Sequence, residues 1–294
     1  MGKSAPILTV LTALVVLWYG GSVLMNAQWT YDQAERAGTT VTFAEVLRDT
    51  MVQDRPVVPA PHQVAAELWK GIAGQKVTSK RSLVWHGYVT LTATFTGFLM
   101  GTALGMIMAV GIVRFRTLDM SLMPWAIISQ TIPIVAIAPM IVVLSNSLGL
   151  GERLGIDNRL VSKTIIAAYL SYFPVLVGMI KGLRSPDAMQ LDLLRTYGAS
   201  QGQTFRKLRL PASMPYFFAS LKVAVAASLV GAIVGELPTG AVEGLGARML
   251  VGSQFGEPMI MWAALFAAAI LAGALIFAVG LIQRLADRRM GVGP

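Results

Sequence analysis

The chain has no cysteine and only two histidines, His62 and His86. The first absence excludes a disulfide framework, a thiol nucleophile and any cysteine metal site, and the second leaves little material for a metal centre. Charge is also scarce, with 13% of the 294 residues being Asp, Glu, Lys or Arg, about half the share of an average soluble domain. Gly71–Lys80 (GIAGQKVTSK) has the glycines of a phosphate loop but lacks the Gly-Lys-Ser/Thr ending that would seat a nucleotide. No Ser/His/Asp set is recognisable, and no paired intramembrane carboxylates suggest a proton relay. The expectation is a non-enzyme with no catalytic, cofactor or metal residues of its own.

What the chain does have is apolar surface. Hydrophobic residues make up 55% of it and mean hydropathy is +0.63, more than one soluble core can bury. They gather into runs, as a bilayer requires, at about 20 residues per helix. Six runs are long enough: Pro6–Ala27, Leu83–Val113, Met120–Ser145, Val161–Ile180, Ala212–Leu237 and Pro258–Ile282. The pattern predicts an all-α, polytopic membrane protein with six transmembrane helices. Lys3 before the first run resembles a signal peptide, but Met25 stands where cleavage after Ala27 needs a small residue, so the run is read as a retained helix. Between the first two runs lies a polar stretch, Gln28–Ser82. Within it Pro59, Pro61, Val64, Leu68, Trp69 and Ile72 predict a proline-started amphipathic helix on the membrane surface.

The net charge of +9 would suggest nucleic acid in a soluble protein. With an inside N-terminus and six spans, however, the inner segments carry Lys3, Arg114, Arg116, Lys181, Arg184, Arg195, Arg206, Lys207, Arg209, Arg284, Arg288 and Arg289. Only Asp119, Asp187, Asp192 and Asp287 oppose them. Basic residues gathered on one side are the sign of cytoplasmic loops. The charge is therefore topology, both termini are expected to be cytoplasmic, and no nucleic-acid partner is expected. The domain reading is 1–82 for the first helix plus an external segment with the surface helix, 83–282 for the transmembrane core including a cytoplasmic loop 181–211, and 283–294 for a cytoplasmic tail.

That loop, KGLRSPDAMQLDLLRTYGASQGQTFRKLRLP, has Leu191, Leu194, Tyr197, Phe205 and Leu208 at near-helical spacing, interrupted by Gly198. The pattern predicts two short helices joined by a left-handed glycine turn, with Pro211 starting the next span. The plainer alternative is a long loop without a partner. Two further signals lie in the spans. Gly97, Gly101 and Gly105 flatten one face of the second run for helix packing. The third run holds Pro124, Gln130, Pro133 and Pro139; each interior proline frees a carbonyl, and a polar side chain at that depth points to a wet cavity. Gln130, Pro133 and Pro139, with Tyr169, Ser171, Tyr172 and Glu236, are the candidate translocation-path residues. Glu236 sits near the outer end of the fifth run, where a gate, snorkelling or a helix contact would each account for it. Thr90, Thr92, Thr94 and Thr96 are expected to bond back to their own helix. Lys222 is expected to reach the cytoplasmic surface, and His86 to sit at the outer interface.

Asp192-Leu193-Leu194, then three residues to Gly198, then nine to Leu208, one further residue and Leu210-Pro211, resembles the "EAA" loop of bacterial ABC importer permeases. Both alanines of that motif are leucine here. Pro59-Ala60-Pro61-His62, Gly97-Phe98, Gln130 to Pro139, Tyr172-Phe173-Pro174 and Glu236 extend the resemblance to the nitrate/sulfonate/taurine/bicarbonate-type permeases, which include importers of pyrimidine precursors. Segments 28–58 and 145–163 are longer than that family's usual pattern. The resemblance implies the type I importer permease fold in the bacterial inner membrane. It also implies an ATPase-docking role for Asp192, Arg195, Gly198, Ala199, Ser200, Leu210 and Pro211. The implied partners are a second permease copy, two cytoplasmic ATPase subunits that bind ATP and Mg, an external substrate-binding protein and membrane lipid. A secondary transporter or channel is the alternative; the sequence shows neither the inverted repeat nor the intramembrane ionisable pair such proteins use.

Overall fold

The computed structural model describes residues 4–290; Lys3 and Pro294, which enter the expected orientation, lie outside them. Helices α1 (Ser4–Ala37), α2 (Phe43–Thr50), α3 (Pro61–Ile72), α4 (Leu83–Arg114), α5 (Arg116–Thr131), α6 (Ile134–Ser147), α7 (Leu150–Leu154), α8 (Asn158–Leu183), α9 (Ala188–Thr196), α10 (Gln201–Thr204), α11 (Leu210–Glu236), α12 (Leu245–Gln254) and α13 (Pro258–Met290) follow one another, with no strand among the described residues. Among the described residues five stretches of helix are long and apolar enough to cross a membrane, or six where the bent pair α5–α6 counts as one span. The chain forms two compact units, residues 1–87 with 247–268, and 88–246 with 269–294.

In the first unit α1 outlasts its apolar run by about ten residues, because its polar end acquires partners. Thr30 donates to Asp49 (2.6 Å) on α2. Asn26 exchanges two hydrogen bonds with the backbone of Val58, at 2.8 and 3.1 Å. Trp18 donates to the Pro59 carbonyl at 3.0 Å and stacks on Trp262 and Phe266. The polar stretch therefore folds back along α1. At the start of α2 the Glu45 carboxylate accepts from the backbone N–H and the hydroxyl of Thr42, which hold its pKa below the usual value. The helix predicted around Pro61 forms as α3, with proline in its first turn, where no amide partner is needed. His86 is fully buried, its ring nitrogen 2.9 Å from the Lys80 carbonyl.

In the second unit, glycine sets helix contacts close enough to reveal chain direction. Gly97 faces Thr164, Ala167 and Ala168, while Gly101 faces Ala168, Ser171 and Tyr172. Gly105 in turn faces Tyr172, Val175 and Leu176. The numbers rise together, so α4 and α8 run parallel. By contrast, Gly178 and Gly182 meet Ser220 and Ser213, whereas Gly231 and Gly235 meet Ala167 and Lys163. Helices α8 and α11 are therefore antiparallel. Two consecutive parallel helices require the chain between them to return, and α5–α6 does so.

That return is broken. One long third span was expected; instead the axes of α5 and α6 differ by 104° across Ile132-Pro133. Proline has no amide to offer and restricts the residue before it to extended backbone, and Ile132 adopts ψ 123°. A second difference lies at Pro211, which was expected to open a new span. Gln201–Glu236 is one helix, widened to a π turn over Phe205–Arg209. The wide turn keeps the carbonyl four residues before Pro211 clear of its ring, so the proline is absorbed without a stop. The 145–163 segment folds as α7 between left-handed Gly149 and Gly155.

Candidate functional site

The segment singled out as a docking loop forms a hairpin. Helix α9 ends at Tyr197, and Gly198 follows at φ +69°. The Gly198 amide donates to the Arg195 carbonyl and the Ala199 amide to the Leu194 carbonyl, both at 2.9 Å. This pair of bonds satisfies the last carbonyls of a helix that ends in a left-handed residue. Ser200 then opens α10, its amide donating to Gln203 and its hydroxyl accepting from the Gln203 amide. Two helices meet at a turn with no slack residue.

No residue of α9 is buried. Met189, Leu193 and Tyr197, one turn apart, are 78%, 56% and 80% exposed. An isolated nine-residue helix is marginal in water, and an apolar stripe on one is a surface awaiting a cover. Asp192 and Arg195 flank the stripe, paired at 3.0 Å and both exposed; such a pair adds little stability. The hairpin is fastened to the helices above it. Arg114, at the end of α4, donates to the Gln201 side chain, and Arg209 donates to the Leu183 carbonyl at 3.1 Å. A cavity of about 590 Å³ beside the turn is lined by Val110, Arg114, Leu191, Arg195, Phe205 and Arg209, among others. Leu210 and Pro211 lie at the start of α11, in the same continuous helix as α10.

A second cluster surrounds the break in the third traverse. Pro133 cannot bond the carbonyl four residues back, that of Ser129. The Tyr169 hydroxyl donates to that carbonyl. The Ser129 hydroxyl lies 2.5 Å from that of Tyr172, and Gln130 reaches the Ser129 hydroxyl at 3.4 Å. Five polar groups thus converge where the backbone is open. Gln130 is half-buried, while Pro133 and Pro139 are exposed. Ser171 lies apart from this cluster, fully buried, with Oγ 3.3 Å from the Gly97 carbonyl on α4. Gly97, Gly101 and Gly105 form that same seam, where a Cβ on Gly105 would stand 2.6 Å from the Tyr172 carbonyl.

Glu236 is fully buried at the last residue of α11. The Thr90 hydroxyl donates to Oε1 at 2.8 Å, the Gly246 amide to Oε2 at 2.7 Å, and the Lys163 ammonium stands 3.9 Å away. Thr90 is therefore not turned back on its own helix, as Thr92, Thr94 and Thr96 are. The structure also corrects the expectation that no buried ionisable pair exists, since Lys163 is 5% exposed. Sequence reasoning missed Ser129, Lys163 and the Met189–Leu193–Tyr197 stripe. Each left a signal: the offset of four from Pro133, a lysine just inside an apolar run, and apolar residues at i, i+4 and i+8.

Comparison with known proteins adds context to this geometry. A family profile described as "Binding-protein-dependent transport system inner membrane component" matches residues 101–292. A probable ABC transporter permease protein of Haemophilus influenzae is 32% identical over 76% of this chain and 83% of its own length. The riboflavin transport system permease protein of Chloroflexus aurantiacus is 28% identical over 79% of this chain and 80% of its own. The inward-facing methionine ABC transporter MetNI shares the fold, with a TM-score of 0.55 at 20% identity over 69% of this chain and 95% of that one.

Proposed function

The chain belongs to the family of binding-protein-dependent transport system inner membrane components, and from that premise we propose that the α9–α10 hairpin is where this permease receives the motion of an ATPase. As an ABC importer permease subunit it works with an ATPase and a binding protein. The finer assignments are ours: docking through Asp192, Arg195, Gly198, Ala199, Ser200, Leu210 and Pro211, pairing with a second copy of itself, and cytoplasmic termini. The observation that carries the reading is the exposed stripe of Met189, Leu193 and Tyr197 on a helix with no buried residue, closed by left-handed Gly198. A partner that covers the stripe gains apolar burial, and the tight turn transmits a push rather than absorbing it.

The substrate class we infer is a small organic or anionic nutrient, supported by the riboflavin permease among the relatives. The path runs past the broken traverse, where Ser129, Gln130, Tyr169 and Tyr172 gather beside Pro133, with Pro139 further along α6. Pro133 and Pro139 keep the helix open there.

The test is Gly198→Trp. Among the described residues nothing stands within 4 Å of a Cβ at this position, so the variant inserts, with a backbone penalty of about 1–2 kcal/mol. The indole would block the partner's approach. Co-purification with the cognate ATPase and ATP-driven uptake in vesicles should both be lost. Uptake that runs on an ion gradient without ATP, and ignores the substitution, would favour a secondary carrier.

A further inference from the structure

Glu236 closes one end of the longest helical stretch in the second unit. Gln201–Glu236 runs 36 residues without interruption from the hairpin, about 54 Å at the α-helical rise. At its far end the Glu236 carboxylate, itself 0% exposed, accepts from the Gly246 amide, and the Thr90 hydroxyl accepts from the Leu245 amide at 2.9 Å. Leu245 and Gly246 are the first residues of α12. Their amides are among the donors that a helix leaves without internal partners, and a carboxylate there also meets the positive end of the helix dipole. Gly244 at φ +131° brings the chain against the carboxylate so closely that any Cβ would overlap it. Lys163, on α8, supplies the counter-charge. One side chain thus ties α11, α4, α8 and the start of α12 together, and its oxygens are occupied by the protein itself.

We propose that Glu236 is a positioning residue that pins the 237–246 connection, through Leu245 and Gly246, to α4 and α8, so that this connection follows the helices the hairpin drives. A solute passing through would not touch it. The transport consequence rests on the function proposed above, under which this end faces the binding protein; the anchoring itself does not.

The two are separated by measuring the complete complex of permease, ATPase and binding protein in lipid nanodiscs. Hydrogen exchange of peptides covering 237–250 reads the anchor. In Glu236→Ala the amides of 245–246 should exchange about tenfold faster, because the Gly246 amide loses its buried acceptor and the Thr90 hydroxyl that holds the Leu245 amide loses the carboxylate it donates to. The ratio of binding-protein-stimulated to unstimulated ATP hydrolysis should fall about fivefold, while the substrate concentration for half-maximal uptake stays within about twofold, since no substrate contact is lost. Unchanged exchange would overturn the proposal, and so would a large shift in half-saturation, which marks a substrate contact. Should Glu236→Ala fail to assemble, Thr90→Val decides. It keeps the shape, removes the hydroxyl that links Leu245 to Glu236, and should speed exchange at 245–246 by about threefold; no change there would refute the anchor. Faster exchange without any ATP-dependent uptake in the wild type would leave the anchor standing and remove the importer reading instead.

Discussion

Gly101 shows how much one absent methyl group decides. A Cβ there would overlap Ser171 Oγ and stand 2.8 Å from the Ala168 carbonyl. Most of what it would meet is backbone, which cannot swing aside. In lipid, where apolar surface has no water to escape, this closeness is the main source of helix affinity. Gly101→Ile should destabilise the solubilised permease by about 1–3 kcal/mol, seen as an earlier thermal transition and lower yield. A variant of normal yield and stability would mean the seam between α4 and α8 can widen freely. Exposed Asp192 and Arg195 stand at the other extreme: their pairing at 3.0 Å matters little to folding, so any importance they have lies in contact with a partner.

Among the elements, the broken α5–α6 traverse and the unbroken Gln201–Glu236 helix are opposites, although each contains interior proline. Around Pro133 the freed Ser129 carbonyl is met by a tyrosine hydroxyl from α8, so the chain can bend by 104° without leaving that group unpaired. At Pro211 one π turn takes up the misfit and the axis continues. The first arrangement gathers hydroxyls around a broken backbone; the second keeps one continuous helix. Gln130→Leu keeps the size of the side chain while removing polar lining worth about 1 kcal/mol. Uptake should therefore fall about fivefold, with ATPase co-purification intact. Unaltered uptake kinetics would leave the break as a packing feature.

For the whole molecule the orientation is directly measurable, because the natural chain has no cysteine to remove. Lys3→Cys and Pro294→Cys should react with a membrane-impermeant maleimide only after the cells are opened. Labelling of either residue in intact cells would contradict the six-span arrangement with cytoplasmic ends, which follows from the one-sided basic residues. The parallel course of α4 and α8 agrees with an odd number of traverses between them, whichever side the ends occupy.

The sequence by itself determined the helical class, the number and approximate bounds of the apolar runs, and the α9–α10 hairpin down to its glycine. These are local properties: apolar length, helical spacing, and the backbone freedom of one residue with no Cβ. Tertiary structure decided the rest. Nothing along the chain says that Thr90, Lys163, Glu236 and Gly246 will meet, since they lie up to 156 positions apart and a buried carboxylate is tolerable only once its donors have been brought to it. The prolines of the third run predicted a disturbance but not its size. Whether a proline bends a helix by 104° or is absorbed into a wide turn depends on what waits to satisfy the freed carbonyl, and Tyr169 comes from another helix.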